Sequence, residues 1–301
     1  MSKYSDFRDE SGATLKTSLG EIYGLIKDES KVLDVGCSTG YFGGLLIEDK
    51  KAKVDGIELN LQDAKIAKKI LGKVYSFDLE SDKWPEGLVN SKYDVIFFGD
   101  VLEHLKDPGK VLIKMKRLLK HDGSIVISIP NIAHASIRME LLAGNFEYEK
   151  LGILDETHLK YFTFNSLIAM LDGAGYKIEA IDQSTISLPR KTLAKLLKDV
   201  GLKPTEKFYK FMSRPDATAF QYKVLAKVGR NDRLPKLGKK PLQLAKMHMT
   251  EIDELHYQVR FLSNELNKVR AELYPITTSP LWTVRNKIRK HFRKVKKGGG
   301  K

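Results

Sequence analysis

The chain has 301 residues, 42% hydrophobic and 30% charged, with a formal net charge of +14. Its one cysteine, Cys37, excludes an internal disulfide and fits a reducing, cytoplasmic setting. The opening MSKYSDFRDE reads as no secretory leader, and no apolar run approaches the roughly 20 residues of a membrane-spanning helix.

Charge divides the chain. Residues 230–301 carry 18 Lys and Arg against 6 Asp and Glu, whereas residues 1–229 carry 34 against 32. A near-neutral globular body over 1–229, a Pro/Gly/Lys linker over 230–245 and a basic tail are therefore expected.

Within the body, Leu15, Leu19, Ile22, Leu25 and Ile26 have helical spacing and predict a helix over 12–28. Next comes KVLDVGCSTGYFGG, residues 31–44. A short apolar run ends in a glycine turn and passes into a helix, the opening of a nucleotide-binding α/β sheet. The glycines at 36, 40, 43 and 44 depart from the G-x-G-x-x-G dinucleotide spacing. The stretch instead resembles motif I of the class I S-adenosylmethionine-dependent methyltransferases. That resemblance implies a seven-stranded Rossmann-like α/β sheet with helices on both faces. It also implies that Asp34, Gly36, Cys37 and Gly40 line the cofactor pocket at its methionine end.

A second strand, 53–58, ends in Glu58, 18 residues beyond Gly40. An open α/β sheet places a ribose-binding carboxylate at about that point. After a helix over 61–71 and a strand over 73–77, the resemblance assigns Asp78 to the adenine amine and Leu79 to the ring face. The block YDVIFFGDVLEHLKDP, residues 93–108, reads as a strand, a loop and a helix starting at Pro108. It resembles methyltransferases related to the quinone-biosynthesis O-methyltransferases, which places Phe98, Gly99 and Asp100 beside the sulfonium. His104 in this loop is either a base or a residue that orders local backbone. A fifth strand is expected at 125–129, a helix at 165–171, and two further strands at 176–181 and 218–228. The family pairs the last two as an antiparallel hairpin. Alternation of Phe220, Tyr222, Val224 and Ala226 with Gln221, Lys223 and Lys227 predicts an edge strand. Residues 188–212 read as a helical insertion of unassigned purpose.

Acceptor chemistry is expected in residues 130–164, where the family inserts its lid. His134 and Arg138, at i and i+4, share one face of a helix. Asp155 and His158, at i and i+3, have the spacing of a carboxylate–imidazole pair. Tyr148, Tyr161 and Phe162 supply an aromatic wall. The segment LGILDETHLKYFT resembles methyltransferases of bacterial surface-polysaccharide synthesis. The favoured catalytic set is His158 as base, Asp155 as its orienter and His134 as second choice. Two alternatives stand beside it: that Asp155 and His158 merely pin the lid, or that Asp155, His158 and His134 bind a metal such as Mg²⁺.

Beyond the linker, Ile252, Leu255, Val259, Leu262, Leu266, Val269 and Leu273 recur at alternating spacings of 3 and 4. This predicts a coiled-coil helix over 246–274 that pairs with a second copy or a partner helix, the alternative being a helix that packs back on its own domain. In the tail, 275–301, Leu281, Val284, Ile288, Phe292 and Val295 share one face, with eight Lys and Arg and no acid between residues 281 and 297. Such a basic amphipathic helix, opened by Trp282, suits an anionic membrane surface. A nucleic-acid arm has no need of that apolar face. The SPLW pattern also resembles tails of bacterial polysaccharide glycosyltransferases. Together these features lead us to expect an S-adenosylmethionine-dependent enzyme that O-methylates a lipid-linked or surface glycan, as a peripheral protein at the inner membrane face. The competing readings are a quinone-type small-molecule O-methyltransferase and a cofactor-binding coiled-coil scaffold for a glycosyltransferase.

Overall fold

Seven strands form one sheet in the computed structural model, which describes residues 18–232, 234 and 235. They are β1 (Lys31–Val35), β2 (Lys53–Ile57), β3 (Val74–Tyr75), β4 (Tyr93–Gly99), β5 (Leu119–Pro130), β6 (Tyr176–Thr185) and β7 (Ala219–Val228), in the order β3-β2-β1-β4-β5-β7-β6. β1 to β5 pair in parallel. β7 runs antiparallel to both β5 and β6. The sequence-predicted coiled coil (246–274), basic tail (275–301) and most of the linker lie outside the described residues, as do residues 12–17 of the predicted first helix.

Strand side chains alternate between two apolar layers, as a pleated strand requires. Val32, Val95, Phe97 and Val126 pack with Ile22, Ile26, Phe42, Leu46 and Ala67, from the helices α1 (Ser18–Leu25), α2 (Tyr41–Lys50) and α3 (Leu61–Ala67) and the turn after α1. Leu33, Val35, Ile96, Phe98, Ile125 and Ile127 face the other layer. A short helix α4 (Glu86–Val89), then α5 (Pro108–Met115) and, beyond the lid, the helix Phe164–Gly173 cover that layer. Helices on both faces explain why the parallel strands are near-continuous apolar runs.

The chain leaves β1 toward β2 on one side and pairs β1 with β4 on the other. That reversal opens a crevice at the carboxyl ends of these strands, where open α/β sheets bind ligands. In the lid, α6 (Ala135–Leu142) follows β5, and α7 is the helix Phe164–Gly173. Between β6 and β7 the predicted insertion, 188–212, forms α8 (Arg190–Asp199) and α9 (Glu206–Met212), and a further short helix, α10 (Pro215–Thr218), follows it. The expected hairpin is present, but its last strand is not the edge. β7 lies between β5 and β6, so Lys223 is 2% exposed, opposite Ser128 on one side and Asp182 on the other.

Candidate active site

The turn after β1 depends on backbone that only glycine adopts easily. Gly36 and Gly40 have φ of +71° and +83°. A Cβ on Gly36 would meet Val101 Cγ2 at 2.6 Å, and one on Gly40 would crowd the backbone of Ala67 at 3.1 Å. Gly40 caps α2, so the turn feeds directly into a helix N-terminus.

Side chains around this turn divide into those facing the crevice and those beneath it. Glu58, at the end of β2, accepts the Ser38 N–H at 2.8 Å and the Asn60 N–H at 2.7 Å. Its carboxylate is thereby fixed, with lone pairs left for a diol. Asp78 is exposed beyond β3, while Leu79 is buried beside it. Asp34 lies beneath the turn, 3% exposed, with Oδ2 making no hydrogen bond. Burial and the neighbouring Glu58 charge push its carboxyl up to about 7, against the Gly43 backbone N–H that lowers it. Cys37 does not present its sulfur to the crevice. Its thiol is buried against Gly56 and pushed well above its ordinary range, chiefly by burial. Phe98 also turns inward, into the core. Of the predicted cofactor residues, these two are left with backbone only.

Asp100 is a non-glycine residue at φ 55°, just past β4. Its Oδ1 accepts the Ser128 hydroxyl at 3.0 Å and the Gln221 amide at 2.6 Å. Neither partner was visible in the sequence, because the holding groups come from β5 and β7.

The lid assignments change more. His134 caps α6 and is fully buried. Its Nε2 donates to the Ile186 carbonyl at 2.8 Å, while Nδ1 accepts from Ser136. Burial lowers its pKa to about 4. With both nitrogens committed, His134 is a structural cap, not a base or a metal ligand. Arg138 bonds the Ala133 carbonyl and Asp216.

The Asp155–His158 pair also differs from the sequence expectation. His158 Nδ1 donates to the Ile153 carbonyl at 3.0 Å, and its Nε2 faces Glu103 at 3.9 Å. Asp155 Oδ1 instead accepts the Thr157 N–H at 2.9 Å and its hydroxyl at 2.6 Å. Asp155 reaches His158 through its charge, which together with Asp100 opposes the lowering of the imidazole pKa by burial. Of the aromatic wall, Tyr148 is exposed and Phe162 is buried in the core. Phe146 takes the place of Phe162, edge-on to both Tyr148 and Tyr161.

His104 is half-buried, whereas His134 and His158 are buried. Its Nδ1 lies 3.1 Å from both the carbonyl and the hydroxyl of Thr157. A carbonyl only accepts, so Nδ1 carries the hydrogen; in the neutral ring the lone pair is then on Nε2. Asp155, Thr157 and His104 thus form a carboxylate–hydroxyl–imidazole series, and the His104 ring meets His158 edge-on with 4.8 Å between ring centroids.

Glu103, His104 and His158 also bring ligand atoms within 4.8 Å of one another. Two imidazoles and one carboxylate suit a borderline metal such as Zn²⁺ or Fe²⁺ better than Mg²⁺, which prefers oxygen. The signal was the adjacent Glu103-His104, but its third member lies 54 residues further along the chain.

A seven-stranded sheet with its reversal at β1/β4, a glycine turn and a fixed acid at the end of β2 is the architecture of S-adenosylmethionine-dependent methyltransferases. The chain belongs to the methyltransferase-domain family, whose model matches residues 7–181, and it is an S-adenosylmethionine-dependent methyltransferase. It is 29% identical over 161 residues to a ubiquinone biosynthesis O-methyltransferase of Thiobacillus denitrificans, spanning 52% of this chain and 68% of that one. The enzyme of the same name from Idiomarina loihiensis is 28% identical over 183 residues, 57% and 71% of the two chains. A solved putative methyltransferase from Bacillus halodurans aligns with a TM-score of 0.48 and 15% identity, over 70% of this chain and 99% of that one.

The cofactor's chemistry fits these residues. Glu58, with its carboxylate held in place, suits the ribose hydroxyls, and the exposed Asp78 suits the adenine amine.

Proposed function

We propose that the enzyme O-methylates a hydroxyl of a lipid-linked or surface glycan at a membrane face, with His104 as general base. When bound, S-adenosylmethionine supplies an electrophilic methyl group on a good leaving group. The protein's task is then to align the acceptor and remove its proton. A sugar hydroxyl is a weak nucleophile at neutral pH, so a positioned base contributes about 10²–10⁴-fold. The observation that carries this reading is the orientation of His104, whose Nδ1–H is held by the carbonyl and hydroxyl of Thr157. Its Nε2 takes the acceptor proton, and Asp155 steadies Thr157 from behind. Tyr148, Phe146 and Tyr161 offer apolar faces to a ring-shaped acceptor. The sequence pattern of the basic tail supports a lipid-borne acceptor.

The second reading is a phenolic small-molecule acceptor, favoured by the names of the similar O-methyltransferases. Methyl-labelled cofactor, incubated with the protein and a bacterial lipid extract, separates the two. Label released as a methylated sugar on acid hydrolysis supports the glycan. Label in an acid-stable phenol moves the assignment to the second reading, and label in neither removes both.

A further inference from the structure

Strands β6 and β7 are paired along their length, down to Thr185 opposite Ala219. A hairpin between them needs only two to five residues. Here 33 residues, 186–218, form three helices. This insertion is packed on the lid helix α6: His134 reaches Ile186, and Arg138 reaches both Asp216 and the ring of Phe211.

Its charge is lopsided. Residues 189–218 hold eight Lys and Arg against three Asp and Glu, while the rest of 1–229 holds 26 against 29. Two of the three acids are already used. Glu206 is bidentate to Arg190, and Asp216 is shared by Arg138 and Arg214. Six exposed lysines remain, at 191, 195, 198, 203, 207 and 210, none in an ion pair with another described residue. On α8 the first three occupy the side opposite the buried Leu193 and Leu197. Leu202, at the turn between α8 and α9, is 48% exposed among them.

We propose that this basic face docks on an anionic phospholipid surface, independently of the tail and of the acceptor's identity. The chemistry distinguishes lipid from nucleic acid. Nucleic-acid grooves read their ligand with guanidinium forks and open aromatic faces. Here Arg190 is spent on Glu206 and lies 4.5 Å from the Tyr209 ring centre. Arg138 and Arg214 both attend Asp216 and the Phe211 ring, at 4.9 and 5.5 Å from its centre. What remains free is hydrated point charge with an apolar tip, the combination that binds a headgroup layer and dips into it. Because the insertion is braced on α6, such contact sets the lid against the surface from which a lipid-linked acceptor would come.

The test uses the full chain. Cys37 is buried with a suppressed thiol, so a Leu202→Cys variant takes an environment-sensitive thiol-reactive dye at 202. Phosphatidylglycerol vesicles should shift its emission to the blue, and phosphatidylcholine vesicles should not. Adding Lys191→Glu, Lys195→Glu and Lys198→Glu should weaken that response about tenfold or more, while methyl transfer to a soluble acceptor is unchanged. A dye that stays in water while the protein sediments with vesicles would overturn the proposal and leave the tail as the sole anchor. So would a shift caused by an oligonucleotide instead of lipid, or one unaffected by the three reversals.

Discussion

The two ends of the crevice are made differently. On the donor side the working parts are backbone: a left-handed turn at Gly36 and Gly40, and one carboxylate, Glu58, pinned by two N–H groups. On the side proposed for the acceptor the parts are side chains drawn from separate segments, with His104, Thr157 and Asp155 held together across 53 residues of sequence. Each side also buries one titratable group, with opposite consequences. Burial raises the pKa of Asp34 and lowers that of His134, in each case favouring the neutral form. A backbone cradle tolerates almost no change at its glycines, whereas a side-chain relay can be weakened in steps.

The harshest way to break the comparison is Gly36→Ala. The new methyl meets Val101 and the backbone is held at positive φ, so calorimetry should find cofactor binding lost and the melting temperature lowered. Retained binding would show that the turn is not the donor cradle. Next, His104→Ala should lower kcat by about 10²–10⁴-fold with cofactor affinity unchanged. Thr157→Val should fall between it and the wild type, and Thr157→Ser should recover, since serine keeps the hydroxyl. Equal losses in KM and kcat for all three would instead make this series a lid clamp.

The third pair concerns stability against pH. Asp34 has a folded pKa of about 7 against 3.8 in the free residue, so the stability its neutral form contributes is fully present below 3.8 and is lost as pH rises through 7. His134 has a folded pKa of about 4 against 6.5, so its contribution is present above 6.5 and lost as pH falls toward 4. The two slopes oppose each other across the same window. Asp34→Asn should therefore raise stability at pH 8 relative to pH 4, by on the order of 4 kcal/mol. His134→Asn, which can still cap α6, should tilt the profile the other way by about 3 kcal/mol. Denaturant melts at pH 4, 5.5 and 8 check both. Parallel profiles for the two variants would contradict the burial-based assignment.

Legibility in the sequence followed the same division. The sheet, the glycine turn and the acids at the strand ends were readable because each is set by local pattern. Misreadings arose where the deciding partner was remote. His158 looked paired to Asp155 three residues away, but its ring is held by Ile153 and faces Glu103. His134 looked like a base until Ile186, 52 residues on, occupied its Nε2. Lys223 and Lys227 made β7 read as an edge, yet the register sets Asp182 opposite Lys223 inside the sheet. Gln221 and Ser128 gave no signal at all, because their role at Asp100 exists only once β5 and β7 are neighbours.

The pairing of Thr185 with Ala219 has one more consequence. It fixes both mouths of whatever is spliced between them, and lengthening such a loop costs only about 0.6 kcal/mol per doubling. That junction is a natural socket for transplanted cassettes. A replacement would have to supply the Ile186 carbonyl and the Asp216 carboxylate again, because His134 and Arg138 of the lid are bonded to them.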